Sequence, residues 1–457
     1  MRGEFLKASA ARFFSVGATL ASGLVSLKLY GHFFTPDIYG VMVVALQLIG
    51  YLPMLDGGFR MATNRRLLAA DSNERDHLLI FSQEIYSWLL LLGLAAGTLL
   101  MSGYAFLPHA RPGGDWTLPL FIALGCCGAF AMFASAQAGL LLGVGAQAAM
   151  AVVAGISSLL GVMALAAALS LGGGLWAFPI SILFSGISTY GLALVFLHSL
   201  GLKIPLLRFT LNREFRRLFD EIHRDAWRAF RSQISIVMVF SMDLVIASFF
   251  CKPAEVAIYG VVSRVLGIGR SFLLIFNESA WPFVAARAHG VDRFQDGIVR
   301  ANAWLHGLAG GGMAVLLSEF VTWYMGPEWR PPTIIVWLFV VRFVIIGVAG
   351  PASYYLLGKG DFRSVAKCTE YELLACVGLS LALAPKFGLV GIATGFLAGT
   401  IGGTLLPFWI FYARQRGVAL APLLALTWMR VAVGFAAGLA LAMGLLRILP
   451  WFTKTLP

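Results

Sequence analysis

Long apolar runs separated by short polar segments are the dominant pattern along this chain. Each run has the length of about 20 residues that a helix needs to cross the roughly 30 Å hydrocarbon core of a bilayer. The pattern predicts about thirteen transmembrane helices, with twelve and fourteen as the limits. The predicted spans lie near residues 10–34, 37–59, 79–103, 117–141, 146–171, 175–199, 232–251, 256–285, 299–323, 333–357, 364–384, 388–412 and 426–449.

Composition supports the same fold class. Hydrophobic residues make up 59% of the chain and charged residues 12%, whereas about a quarter of the residues in soluble domains are charged. We therefore predict an all-α polytopic membrane protein.

The distribution of Lys and Arg predicts the orientation, because cytoplasmic loops hold an excess of both. With the N-terminus in the cytoplasm, about 24 of them fall in inner segments and about six in outer segments. We expect a multi-pass protein of the cell inner membrane with a cytoplasmic N-terminus. The net charge of +12 is then explained by topology and by contact with anionic membrane lipids, and nucleic acid is not expected as a partner.

One short fragment occurs twice. The sequence FFTPDIYGV at residues 33–41 returns as FFCKPAEVAIYGV at residues 249–261. In a membrane protein, a repeat at this spacing indicates two homologous helical halves, an arrangement typical of transporters. The predicted domains are an N-terminal six-helix bundle at 1–199, a linker at 200–231, a C-terminal six-helix bundle at 232–412, and an appended helix and tail at 413–457.

The predicted linker is basic and amphipathic, since apolar residues recur at helical spacing and arginines fill much of the remaining surface. We interpret it as a helix on the inner leaflet that joins the two bundles. A regulatory or partner-binding role remains an alternative.

The chain shows no catalytic or nucleotide-binding motif. A Gly-rich phosphate loop, an HExxH pattern and a nucleophile elbow are all missing from the sequence. The five cysteines lack metal-ligand or redox spacing. We therefore expect no enzyme activity, no catalytic residues, no metal site and no cofactor.

Charges at membrane depth are the candidates for function, because such charges are costly and need a partner or a cavity. Asp243 lies about 12 Å below the outer end of its predicted span, and Arg264 and Arg342 lie at a similar depth. One carboxylate and two guanidiniums would leave an excess of positive charge that suits an anionic ligand. A fixed ion pair between Asp243 and Arg264 is the alternative.

Further charges extend this pattern. Arg270, Lys28 and Arg60 join the candidate substrate-binding residues, and Asp56 and Glu278 join Asp243 as candidates for ion pairing or coupling. Lys28 has the alternative of reaching out to lipid headgroups, and Asp56 with Arg60 that of stabilising the inner end of their helix.

Six sequence segments, in this order, resemble bacterial polysaccharide and O-antigen flippases of the multidrug/oligosaccharidyl-lipid/polysaccharide exporter superfamily. They are FTPDIYG (34–40), LDGGF (55–59), DLV (243–245), IYG (258–260), WPFVA (281–285) and GLVGIAT (388–394). The resemblance covers roughly residues 5–412. The single tail helix is a departure from many relatives.

This resemblance implies two six-helix bundles around a central cavity lined by cationic residues, which agrees with the positions of Arg264, Arg270 and Arg342. It also implies that a polyprenyl-pyrophosphate-linked oligosaccharide moves from the inner to the outer leaflet by alternating access, coupled to a proton or sodium gradient. Polysaccharide polymerase or synthase components are the expected protein partners.

Three alternatives remain open at this point. A multidrug or organic-cation antiporter of the same superfamily would need an acidic cavity, whereas the predicted excess is positive. A membrane-embedded O-antigen polymerase or ligase would need a large charged outer loop. A non-transporting membrane subunit of a polysaccharide synthase fits the helices equally well, although the internal repeat favours a transporter.

Overall fold

A computed structural model describes residues 2–107, 118–202, 207–210, 212–285 and 291–448. These residues form helices and contain no β-strand, which confirms the all-α membrane fold. The helices are α1 (Arg2–Phe33), α2 (Pro36–Ile49), α3 (Phe59–Ala69), α4 (Ser72–Ala105), α5 (Leu118–Gly143), α6 (Gln147–Ser170), α7 (Ala177–Ser199), α8 (Arg213–Val239), α9 (Met242–Phe250), α10 (Pro253–Ala285), α11 (Val291–Met325), α12 (Thr333–Gly358), α13 (Phe362–Thr400), α14 (Leu406–Arg416) and α15 (Leu420–Ile448).

Eleven helical stretches within the described residues are long and apolar enough to cross a membrane. A twelfth is added if α8 and α9 count as one bent span. The chain is thus a multi-pass membrane protein, although the predicted count of thirteen is not confirmed. The eleven stretches are Ala10–Phe33, Pro36–Asp56, Glu74–Ala105, Leu118–Gly143, Gln147–Ser170, Gly174–Ser199, Pro253–Leu273, Asp292–Met325, Thr333–Gly358, Arg363–Arg416 and Leu420–Ile448.

The stretch Arg363–Arg416 is a helical hairpin. Gly388 has φ 53° and ψ −133°, a conformation that glycine adopts more easily than residues with a Cβ atom. The Ser380 hydroxyl donates to the Ile392 carbonyl at 3.0 Å, and the Cys376 thiol donates to the Phe396 carbonyl at 3.4 Å. These contacts place the arms of the hairpin side by side and antiparallel, as the two predicted spans 364–384 and 388–412 require.

The predicted span 232–251 differs from the structure. Helix α8 passes through residue 231, the predicted end of the linker, and continues to Val239. The chain then bends by 47° into α9. The basic amphipathic segment and the first turns of the predicted span therefore form one helix.

The chain forms two compact units. The first unit comprises Met1–Leu29 and Val44–Ile234, and the second comprises Tyr30–Val43 and Ser235–Pro457. Residues 30–43 thus belong to the second unit, whereas the sequence placed them in the N-terminal bundle; we call them the exchanged segment. The assignment of two six-helix bundles stays a prediction.

The exchanged segment brings the two repeat copies together within the second unit. A Cβ atom on Gly40, in the first copy, would lie 1.8 Å from the Pro253 carbonyl oxygen in the second copy. A Cβ atom on Gly260 would lie 3.2 Å from Val43. Only glycine at position 40 allows this approach, because any side chain would collide with the backbone of α10.

Helix α15 packs on α11 in the second unit through glycines on both helices. A Cβ atom on Gly311 would lie 2.0 Å from the Phe435 carbonyl oxygen, and one on Gly438 would lie 2.0 Å from the Leu308 carbonyl oxygen. Small residues let helix backbones approach closely in membranes, where packing drives association. The appended helix is therefore held directly against α11.

The substitution Gly311→Ala tests this packing. It adds a methyl group where none fits, so we expect a loss of about 1–3 kcal/mol of stability, measured as a lower melting temperature of the purified protein. Gly312→Ala is the matched control, since a Cβ atom there meets nothing within 4 Å. Equal melting temperatures for the two variants would contradict the close packing of α15.

Candidate functional site

Arg342 is anchored by three acceptors in the second unit. Its side chain is buried, and its Nη2 donates to the Val239 carbonyl at 2.8 Å while its Nε donates to the Thr400 hydroxyl at 3.3 Å. Its Nη1 lies 3.6 Å from Asp243 Oδ2. Val239 ends α8, and the last carbonyls of a helix lack partners within it. Arg342 therefore joins the end of α8 to α9 and α13.

Asp243 has Arg342, and not Arg264, as its ion-pair partner. The carboxylate is 1% exposed. The Tyr259 hydroxyl donates to its Oδ2 at 3.2 Å, and the Leu244 amide donates to its Oδ1 at 2.9 Å. Burial of a charge is tolerated when it is paired and hydrogen-bonded in this way. The alternative in which Asp243 pairs with Arg264 is thus corrected: Asp243 does form a buried ion pair, but its partner is Arg342.

A second buried carboxylate adjoins this pair. Glu372 on the first arm of the hairpin accepts a hydrogen bond from Thr404 on the second arm, and its other oxygen makes no hydrogen bond of standard geometry with the described residues. Arg342 and Arg270 are both electrostatic neighbours of Glu372. The sequence places Glu372 inside a predicted span. Its partner Thr404 lies on the other arm of the hairpin, so the contact follows only from the tertiary structure.

Arg270 contacts an aromatic ring at the bend between α8 and α9. Its Cζ lies 3.8 Å from the centre of the Phe240 ring, a cation–π geometry. Among the described residues, its Nε has no hydrogen-bond partner. We call the group to which this arginine belongs the α9–α13 charge cluster. It has a balanced formal charge and consists of Arg270, Arg342, Asp243 and Glu372.

Arg264 has a different environment from that cluster. Its Cζ lies 5.9 Å from the centre of the Tyr30 ring, and the Tyr39 hydroxyl lies beside it. Tyr30 and Tyr39 stack with centroids 4.9 Å apart, and Trp329 meets Tyr39 edge-on at 5.5 Å. Within the described residues, Arg264 forms no salt bridge. This half-buried guanidinium therefore keeps a net positive charge.

Tyr39 reinforces this site. It is fully buried, yet its hydroxyl makes no hydrogen bond of standard geometry with the described protein atoms. A buried hydroxyl without a partner is costly. Tyr39 and Tyr259 occupy equivalent positions in the two repeat copies, so one tyrosine lies beside Arg264 and the other binds Asp243.

Asp56 and Arg60 lie in the first unit. Asp56 Oδ1 accepts from the Gly58 amide at 2.7 Å, and its Oδ2 lies 3.5 Å from Arg60 Nε. Arg60 also donates to the Ser135 hydroxyl at 3.2 Å. Both residues line a small pocket together with Tyr86, whose buried hydroxyl makes no hydrogen bond of standard geometry within the described structure. The local ion pair matches the interpretation that Asp56 and Arg60 stabilise their helix.

The two other sequence candidates contribute less. Lys28 is exposed near the end of α1, as the headgroup-reaching alternative requires. The side chain of Glu278 lies outside the described part of the structure. Its role in coupling stays a prediction.

The described residues contain no group of three or more His, Cys, Asp or Glu side chains that could hold a metal ion. The five cysteines are free thiols.

Comparison with known proteins extends this picture. The family model described as "Polysaccharide biosynthesis protein" matches residues 7–286. No protein of curated function matches the chain.

Among solved structures, the fold is similar to that of a lipid II flippase, MurJ, in an inward closed conformation. The TM-score is 0.71 at 13% identity, covering 94% of this chain and 91% of that chain. A multidrug resistance MATE family transporter in an inward-facing conformation gives a TM-score of 0.69 at 17% identity, covering 90% and 95%. These likenesses confirm the transporter fold.

Proposed function

Because this chain belongs to the polysaccharide biosynthesis protein family of the multidrug/oligosaccharidyl-lipid/polysaccharide exporter superfamily, we propose that it flips a polyprenyl-pyrophosphate-linked oligosaccharide. The direction is from the inner to the outer leaflet, by alternating access, for polysaccharide or O-antigen export. The protein binds and moves the substrate without catalysing a reaction. Its proposed location is the cell inner membrane, with the N-terminus in the cytoplasm.

The uncompensated charge of Arg264 is the observation that carries this proposal. A guanidinium without a carboxylate partner in the described structure attracts an anion, and its planar fork can donate two parallel hydrogen bonds to a phosphate. The Tyr39 hydroxyl beside it can donate a further hydrogen bond. The pyrophosphate is the only charged group common to all substrates of this class, so a site for it serves different glycans.

The α9–α13 charge cluster has a different proposed role. Arg342 and Asp243 already bond to protein groups, so we assign them to holding the helices around the bend. One carboxylate oxygen of Glu372 makes no hydrogen bond of standard geometry with the described residues, and we propose Glu372 as a group through which a proton or sodium gradient acts on this cluster. Arg270, a member of the same cluster, is the second candidate for contact with the pyrophosphate.

Flipping of a fluorescent polyprenyl-pyrophosphate oligosaccharide in proteoliposomes tests the function. We expect the labelled lipid to reach the opposite leaflet faster than in protein-free vesicles, and an imposed proton or sodium gradient to change the rate. Protection of the label from a membrane-impermeant quencher measures the transfer.

The outcome separates the alternatives. If no glycan among several is flipped while the protein exports a cationic dye under the same gradient, the flippase proposal is wrong and the antiporter is favoured. If neither is moved, the non-transporting subunit is favoured, and co-purification with a polysaccharide polymerase or synthase component becomes the next measurement.

A further inference from the structure

The first part of α8 is firmly held on one side by the first unit. Leu218, Ile222 and Ala226 are buried in the core of that unit. A Cβ atom on Gly58 would lie 2.2 Å from the Ala226 carbonyl oxygen, so the backbones are in direct contact. The helix is therefore docked along this side, and its opposite side faces away from the protein core.

The opposite side carries a concentrated positive charge. At 100° per residue, six arginines fall within an arc of about 120° centred opposite Ile222. All six are exposed, and only Asp220 adds a negative charge within the same arc. We call this surface the α8 arginine face; it consists of Arg213, Arg216, Arg217, Arg224, Arg228 and Arg231.

The other acidic residues of this helix lie outside the arc and cancel only part of that charge, and Asp225 pairs with Arg228 at 3.8 Å. Glu221 is bound by Arg66 of the first unit at 3.2 Å, and Glu214 is bound by His77. Both lie on the flank of the helix that turns toward α3 and α4. Arg217 shares Glu221 at 3.3 Å, while Arg216 and Arg224 form no ion pair with any residue that the structure describes.

An exposed tryptophan lies within the arginine face. Trp227 is 59% exposed, and it falls within the same arc as the six arginines. In water, an indole ring has no apolar partner. At a membrane interface, the ring can contact acyl chains while its N–H group contacts water or headgroups. A face made of Arg and one Trp has the composition of a membrane-surface helix.

The neighbours of α8 place this face at the end of the membrane spans. Phe219 stacks on Phe59 with centroids 5.0 Å apart, and Phe215 packs on Phe81 at 5.3 Å. Phe59 follows the span Pro36–Asp56, and Phe81 lies near the start of the span Glu74–Ala105. The docked part of α8 therefore lies at the level where lipid headgroups meet these spans.

We propose that the α8 arginine face is a binding site for anionic phospholipid headgroups. The arginines bind the lipid phosphates, and the Trp227 ring inserts between the headgroups and the acyl chains. Attraction to an anionic surface amounts to about fivefold in affinity per arginine close to it. Bound anionic lipid would fix the docked part of α8 on the leaflet, independently of any transported substrate.

The test uses the full-length protein in neutral detergent micelles, titrated with phosphatidylglycerol or phosphatidylcholine, with bound lipid counted by native mass spectrometry. We expect the wild type to bind phosphatidylglycerol and to show little binding of phosphatidylcholine. In the triple variant Arg213→Gln, Arg216→Gln, Arg224→Gln, phosphatidylglycerol affinity should fall about 100-fold, since three charges are removed. Trp227→Ala should weaken binding of this lipid further in that background.

The matched control removes the same charge from exposed arginines elsewhere: Arg293→Gln, Arg300→Gln, Arg363→Gln. We expect it to bind phosphatidylglycerol as the wild type does. Equal losses in both triple variants would overturn the proposal, as would an equal affinity of the wild type for the two lipids.

Inorganic phosphate distinguishes a headgroup site from a simple anion site. If millimolar phosphate displaces all the bound phosphatidylglycerol, the face binds free anions and the lipid proposal is wrong. Melting temperatures of the variants should match that of the wild type, because the substituted side chains are exposed. Lipid binding does not require transport, so a failed flipping assay leaves this result unaffected.

Discussion

Arg264→Ala is expected to reduce flipping of the polyprenyl-pyrophosphate oligosaccharide by about 10- to 100-fold, while the amount of folded protein stays normal. The factor follows from the loss of about 1.5–3 kcal/mol for hydrogen bonds to a charged group. Protein folding should survive, because Arg264 forms no salt bridge in the described structure and removal of its side chain leaves no buried carboxylate unpaired. The rate of label protection in proteoliposomes measures the effect.

Two further variants make this result specific. Arg264→Lys keeps the charge but loses the planar fork, so we expect an intermediate rate. Arg330→Ala removes an arginine that is bound to Glu319 at 2.8 Å, and it should leave the rate unchanged. A normal rate in Arg264→Ala would refute the assignment of Arg264 to the pyrophosphate site, although not the flippase function itself.

Arg342→Met is expected to lower the stability of the protein by about 3–5 kcal/mol, because it leaves the Asp243 carboxylate buried without its cationic partner. The Val239 carbonyl and the Thr400 hydroxyl lose donors at the same time. Denaturation of the purified protein in mixed detergent micelles, followed by circular dichroism, provides the measurement.

The double variant Arg342→Met, Asp243→Asn distinguishes an ion pair from two independent contacts. If the two residues act as a pair, the double variant should lose less stability than the two single variants lose together. Additive losses would show that the 3.6 Å contact contributes no coupling. Flipping by any variant that remains folded then shows whether Arg342 also contacts the substrate.

The sequence was sufficient for the membrane class and for most helix positions. A bilayer requires about 20 apolar residues for each span, so spans such as Gln147–Ser170 and Thr333–Gly358 appear directly as uninterrupted runs. The repeat FFTPDIYGV likewise indicated a transporter with internal symmetry before any contact was known. The family resemblance was confirmed by the family model over residues 7–286.

The α8 bend shows where sequence patterns were insufficient. The residues before and after the predicted boundary at residue 231 are both compatible with a helix. Apolar content alone therefore does not reveal that α8 continues through residue 231 and bends before α9. The eleven or twelve spans found by length and composition do not confirm the predicted count of thirteen, but the stretch Arg363–Arg416 counts as one span although it folds back at Gly388 into the two arms that the sequence predicted.

The sequence by itself determined that charged residues lie at membrane depth, because their distances from the span ends follow from a rise of about 1.5 Å per residue. Only the tertiary structure decided their partners. Depth does not fix the direction in which a side chain leaves its helix, so Asp243 was equally compatible with Arg264 and Arg342. Packing of α9 and α12 against α13 selected Arg342 and added Glu372 to the cluster, and the tertiary structure placed Arg264 beside two tyrosines.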